Sequence, residues 1–225
     1  MVKPSPVNIH RDDPPAWFKQ ADFGIMIHWG LYSVPAFAPT NVPDYDTFIK
    51  SKPLKFFFAN QPYAEWYANS ILFPDSPAAR YHREHYGNAP YSDFAKTFKQ
   101  SAQQVDVDAW ADAFANAGAK YVVIVTKHHD GFVLYDTDVA NPYQPDYHLD
   151  FDFVGQLAQA VRARGMHFGT YYSSLLDWTF PHVPIADYGS LMLGNDRSKI
   201  YNQYARAHWH EPVSYTHLRA HETCA

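Results

Sequence analysis

Apolar runs and helically spaced segments alternate along this chain. The first run, FGIMIHWG from Phe23 to Gly30, is too short for a helix and rich in β-compatible residues, so it predicts a strand. PPAWFKQA before it predicts a short leading helix with proline near its start. From Leu31 to Tyr91 no period is sustained, and only short helical pieces are expected, in PYAEWYANSIL and AARYHREHY. A connection this long inside a compact domain is usually functional. Ser92 stands where it would cap a helix over SDFAKTFKQ. VDVDAWADAFANAGAK predicts a stronger helix, capped by Asp106 or Asp108 and closed by Gly118, with Trp110, Ala113, Phe114 and Ala117 at helical spacing. Lys120 to Thr126 predicts the second strand. Phe151 to Arg164 predicts a helix with Phe153, Leu157, Ala160 and Val161 on one face. Met166 to Ser173 is the third expected strand, and Asn195 to Glu211 a last helix, capped by Asn195 or Asp196.

Strands that alternate with helices imply an α/β fold with a parallel sheet. Polar and aromatic side chains collect at the C-terminal end of each expected strand. They are His28 and Trp29 on the first, His128, His129 and Asp130 on the second, and Tyr171, Tyr172 and Ser173 on the third. Closed barrels and open parallel sheets both bind ligands at the carboxyl ends of their strands. The clusters are therefore expected to converge on one pocket.

Composition narrows the choices. A chain of 225 residues that is 47% hydrophobic can form one domain with a real core. A net charge of −5 argues against a broad nucleic-acid surface. No apolar run is long enough to span a membrane, and the N-terminus lacks the apolar segment of a signal peptide, which favours a cytoplasmic location. With a single cysteine, Cys224, no disulfide can form within the chain. There is no glycine-rich phosphate loop and no Gly-x-Ser-x-Gly elbow. A site for a metal would have to come from the histidines. Adjacent His128 and His129 would point to opposite faces of a strand unless the strand is ending there. His128 and Asp130 have the right alternation, with His28 as a third ligand, so a metal-dependent barrel hydrolase is one reading. A sugar site is the other. Neutral histidine offers one donor and one acceptor, while tryptophan and tyrosine offer an apolar face with a polar tip. His28, Glu65, Trp66, His128, His129 and Tyr171 suit such a site, and no cofactor is expected.

The segments WFKQADFGIMIHWGLYSVPAFAP, PYAEWY, YSDFAKTF, AGAKYVVIVTKHHDGFVLYDT and HFGTYYSSLLDW, in this order, resemble the α-L-fucosidases of glycoside hydrolase family 29. The resemblance runs over roughly residues 16 to 180. It implies a (β/α)8 TIM-like barrel, of which the chain would hold the first three βα units with a long loop after strand one. It also implies a retaining mechanism acting on fucosylated oligosaccharides or glycoconjugates. In that mechanism an Asp attacks the anomeric carbon and a second carboxylic acid protonates the leaving oxygen. The resemblance carries fucose-binding roles onto His28, Glu65, Trp66, His128, His129 and Tyr171, with Tyr172 an equal candidate beside Tyr171. Lys127 and Asp130 could equally be site residues or purely structural, as an ion pair or a loop anchor. The family nucleophile follows the next strand and the acid/base comes later, so no catalytic residue is assigned here, and Asp177 is expected only as a loop residue near the site. Residues 1–211 are read as the N-terminal part of the catalytic barrel. Residues 212–225, PVSYTHLRAHETCA, are read as a non-native tail. Three βα units cannot close a barrel, so an unpaired strand edge is expected. The expected outcome is an unstable or aggregating chain with neither hydrolysis nor fucose binding, or at most a non-catalytic sugar-binding remnant.

Overall fold

The computed structural model describes residues 13–42, 47, 50, 53–180, 184–193 and 199–211. The apolar runs become β1 (Gly24–Ile27), β2 (Tyr121–Lys127) and β3 (His167–Tyr172). They form a parallel three-stranded sheet in the order β1-β2-β3. Alternation sorts their side chains. Val122, Ile124 and Phe168 are buried in the core, and Ile25 and Ile27 pack against the same core. On the opposite face Met26 is 49% exposed.

Helices connect and follow the strands, and the one over Phe153–Ala163 packs on the first of these faces. In chain order they are α1 (Ala16–Lys19), α2 (Leu54–Ala59), α3 (Tyr67–Ser70), α4 (Pro77–Tyr86), α5 (Phe94–Ala102), α6 (Val107–Asn116), α7 (Phe153–Ala163), α8 (Tyr188–Leu193) and α9 (Lys199–His210). Their starts follow local chemistry. Ser76 accepts from the Ala79 N–H ahead of Pro77, Asp106 from Ala109 and Asp152 from Gly155. Each bond satisfies one of the amide donors a helix start leaves orphaned. Gly118 and Gly165, with φ of 89° and 76°, end α6 and α7 in the left-handed region. Arg164 ties the two helices together, bonding Asp112 at 2.6 Å and Asp108 at 2.7 Å. Phe153, Leu157, Ala160 and Val161 are all buried, as the spacing of α7 predicts.

Several local expectations are corrected. Ser92 does not cap a helix. A 3-10 turn, Tyr91–Asp93, precedes α5, and no side chain caps either element. The Pro90 backbone is extended there, and the turn delivers Tyr91 to a bond with Asp130. On α6, Ala113 and Ala117 are exposed, while Trp110, Ala111, Phe114 and Ala115 face the core. The large rings set that face, since alanine adds little area to it. Strand β1 ends at Ile27, short of the predicted Gly30. The long connection holds more helix than its composition suggests, including α2 and the 3-10 turns Leu31–Ser33 and Ala64–Trp66. The expected caps Asn195 and Asp196 and the segment 212–225 lie outside the described residues.

Two contacts orient the loops above the sheet. The Asn69 side chain bonds the Ile185 backbone from both sides, with Ile185 N–H donating at 2.8 Å and Asn69 donating to Ile185 O at 3.2 Å. At α9, buried His208 shares hydrogen bonds with Tyr172 and Tyr147, both at 3.0 Å. Phe153 lies at the centre of the main core, with ring centroids 4.7 Å from Trp29 and 5.9 Å from Trp110. Phe153→Ala is expected to lower unfolding free energy by about 3–5 kcal/mol in urea titration. A loss below about 1 kcal/mol would contradict this placement.

Candidate functional site

The site begins where each strand stops. His28 follows the last residue of β1, and its Nδ1–H donates to Glu65 Oε1 at 2.7 Å. Glu65 and Trp66 lie together on the 3-10 turn Ala64–Trp66. Strand β2 stops at Lys127, so His128 and His129 are free of the strand's alternation. Gly131, at φ 80°, completes the turn. The two imidazoles stand side by side, 4.2 Å between centroids, and His128 is 5.7 Å from both His28 and Tyr32. His129 Nδ1 shares a 2.6 Å hydrogen bond with the hydroxyl of Ser173, the residue just past β3. Trp66 and Trp178 each lie 5.5 Å from the His129 ring and 5.4 Å from one another.

Five of the six residues expected from sequence, His28, Glu65, Trp66, His128 and His129, are thus brought together. For Tyr171 the ring contacts among the described residues show no tie to the cluster. Its carbonyl accepts a bond from Thr126 Oγ1 at 3.0 Å, and its side chain is half-buried. Tyr172 is committed elsewhere, with its hydroxyl on His208 and its ring 4.8 Å from Lys127 Nζ. Strand alternation therefore places Tyr171 on the face away from those contacts. A register shift between Val125 and Lys127 marks a bulge that redirects Lys127.

Asp130 is a loop anchor. Its carboxylate accepts from Tyr91 O–H at 2.8 Å and from Phe132 N–H at 3.3 Å. Those bonds engage one of the three ligands a metal reading would use. Among the described residues, no three His, Cys, Asp or Glu side chains are grouped to hold a metal ion. Lys127 and Asp177 form a buried ion pair at 2.9 Å, so Asp177 is more than a loop residue near the site. Sequence reasoning passed over Trp178 and Tyr32 as members of the site, and named Ser173 only within the third strand-end cluster. The signal for Trp178 was its place in SSLLDW, an aromatic just past a strand end.

Burial sets the electrostatics. It pushes His128 down to about 2, helped by the neighbouring His129, and His129 down to about 3, helped by the Lys127 cation. Both rings are therefore neutral at physiological pH, each with one donor and one acceptor. The bond from His28 holds the Glu65 carboxyl below its usual range. Burial raises Asp130 to about 6. His128 Nδ1 is buried and has no hydrogen-bond partner among the described residues. An unmet buried polar atom costs about 1–3 kcal/mol, and the Tyr32 hydroxyl beside it is unmet as well. The arrangement is a set of fixed donors and acceptors beside two indole faces.

Comparisons with known proteins agree with this geometry. A family model described as Alpha-L-fucosidase matches residues 2–218. The chain belongs to the α-L-fucosidase family. This family member is 35% identical to the α-L-fucosidase of Dictyostelium discoideum over 172 residues, covering 74% of this chain and 32% of that protein. It is 35% identical to human tissue α-L-fucosidase over 170 residues, again 74% of this chain and 30% of the relative. The crystal structure of Thermotoga maritima α-fucosidase in complex with fucose matches with a TM-score of 0.75 and 40% identity, covering 88% of this chain and 43% of that one. The family member thus spans about a third of the length of its curated relatives.

The site's ionisation makes stability depend on pH. His128, His129 and His208 have folded values of about 2, 3 and 3 against 6.5 when unfolded. Below 6.5 the unfolded chain binds more protons, so each histidine removes about 1.4 kcal/mol per pH unit of acidification. Asp130, raised from 3.8 to about 6, acts in the opposite sense between those values. Three groups outweigh one, and the depressed Glu65 adds to the loss at lower pH. The urea midpoint should therefore fall between about pH 7.5 and pH 5.5. A flat or rising midpoint would contradict neutral buried histidines.

Proposed function

We propose that this chain carries the fucose-reading part of a retaining, exo-acting α-L-fucosidase that removes terminal α-L-fucosyl residues from oligosaccharides or glycoconjugates. The observation that carries the reading is the neutral pair His128–His129 packed against Trp66, with the His28–Glu65 bond alongside. A Thermotoga maritima relative of 40% identity is described in complex with fucose. In this reading His28, His128 and His129 hold ring hydroxyls, Glu65 accepts from adjacent hydroxyls, and Trp66 covers the apolar face of the sugar. Tyr171 contributes from β3. The parallel sheet β1–β3 is the first part of a (β/α)8 barrel, and Met26 lies on the face that would line its interior.

Bond cleavage needs two carboxyl groups about 5–5.5 Å apart in a retaining enzyme. Neither is assigned to residues 1–211. One carboxylate would attack the anomeric carbon while the other protonates the departing oxygen, and water would then release fucose with its configuration kept. The 225-residue chain by itself is accordingly inactive in this proposal.

The experiment joins residues 1–211 to the complementary C-terminal part of the Thermotoga maritima enzyme and assays an aryl α-L-fucoside. The expected result is turnover with the α-anomer released first, insensitive to chelator, and none from the 225-residue chain. His128→Ala with His129→Ala should lower kcat/KM of the joined protein by about a hundredfold or more. A folded but inactive joined protein would overturn the fucosidase reading. A β-anomer product would overturn retention, chelator-sensitive turnover would favour a metal hydrolase, and turnover by the 225-residue chain would overturn its inactivity.

A further inference from the structure

The buried pair Lys127–Asp177 makes none of the candidate sugar contacts, yet both side chains are completely buried and 2.9 Å apart. Lys127 Nζ also donates to the carbonyls of Leu176 at 3.3 Å and His128 at 3.4 Å. The other Asp177 oxygen accepts from Thr179 twice, from N–H at 3.0 Å and from the hydroxyl at 2.5 Å. Such a pair is weak evidence for stability, because well-packed apolar residues often serve as well. Its geometry points to another role.

Residues 177–179 sit directly on Gly131. A Cβ there would lie 2.5 Å from Asp177 Oδ1 and 2.5 Å from Thr179 Cγ2, at a φ of 80° that already favours glycine. Trp178 lies between these two anchored residues. Its backbone N–H donates to the His129 carbonyl at 2.7 Å. Its ring packs edgewise on Trp66 and at a tilt to His129. Lys127 and Gly131, at the two ends of KHHDG, thus clasp one short loop and aim one indole.

We propose that Lys127 and Asp177 are positioning residues that fix the 177–179 loop so that Trp178 forms a rigid second aromatic wall of the sugar site. This rests on the sugar-binding reading only for what the wall is used for; the positioning itself concerns the protein alone. An apolar pair in place of the ions would preserve packing, but it could not accept the Thr179 bonds.

The test is NMR of the 225-residue chain with labelled histidine and tryptophan, without sugar. The unsubstituted chain should show cross-peaks between the His129 and Trp178 rings, and their absence overturns the proposal. In Lys127→Met with Asp177→Leu, the expected result is a folded chain by circular dichroism that has lost those cross-peaks. Cross-peaks that survive there mean the pair is merely structural, which also overturns it. Should the double variant fail to fold, Thr179→Val, at a half-buried position, removes the hydroxyl's bond to Asp177 along with the one it accepts from Asn141. Weakened cross-peaks support the proposal, and unchanged ones overturn it. No arm contains fucose, so failure here is distinct from failure of the fucosidase reading.

Discussion

Parallel pairing is the constraint on which this site depends. Antiparallel strands would send alternate ends to opposite edges of the sheet, whereas parallel strands finish together. Here Lys127 pairs with Tyr172, so β2 and β3 end at one level, while Ile27 pairs with Ile124 and β1 stops three residues short of it on the same edge. One residue beyond each end lie His28, His128 and Ser173. The helices enforce that level through the core. Val122, Ile124 and Phe168 are buried beneath Phe153, Leu157 and Val161, and a slip of one residue would turn every strand inside out. The register of the core is therefore also the register of the site, although the two sets of residues hardly overlap.

Burial then decides which charges survive at that edge. Imidazoles withdrawn from water lose their protons, and the adjacent Lys127 cation pushes His129 further the same way. A protonated ring would offer two donors and no acceptor, so a neutral pair is the form that reads hydroxyls. The cation that helps keep it neutral is itself tolerable because Asp177 stands 2.9 Å away. Glu65 keeps its charge through the bond from His28. The site thus combines one ionised carboxylate, held by His28, with two rings that burial keeps neutral.

The α/β order, the strand-end clusters and the buried face of α7 were legible in the sequence, because periodicity and position carry them. The relative aim of His128 and His129 was not. It turns on whether β2 ends before or after Lys127, and strand ends cannot be read to one residue. Tyr171 and Tyr172 were indistinguishable for a related reason, since the bulge at Thr126 and the partner His208, 36 residues away, separate them. Ser92 was expected to cap α5 from its residue type, but the turn before α5 is shaped by the reach of Tyr91 to Asp130. These are tertiary facts, and local pattern has no access to them. Lys127 could be read as ion pair or site residue with equal reason, and only its distance to Asp177 decides.

The stretch TKHHDGF shows how such a motif divides its work. Thr126 bonds the Tyr171 carbonyl of β3. Lys127 holds Asp177, and Asp130 holds Tyr91. Gly131 leaves room for Asp177 and Thr179, and the Phe132 ring packs 5.4 Å from Phe98 in the core. Together these residues fasten four segments to the end of β2: β3, the 177–179 loop, the turn at Tyr91 and α5. Buried polar groups in folded proteins are nearly all satisfied, so a partner for each of them is the ordinary outcome. His128 Nδ1 departs from it among the described residues. In a motif this dense, the number of polar side chains says little about where a ligand binds. Two of the atoms whose hydrogen bonds the fold leaves unmet, His128 Nδ1 and the Tyr32 hydroxyl, belong to neighbouring rings beside His28 and His129.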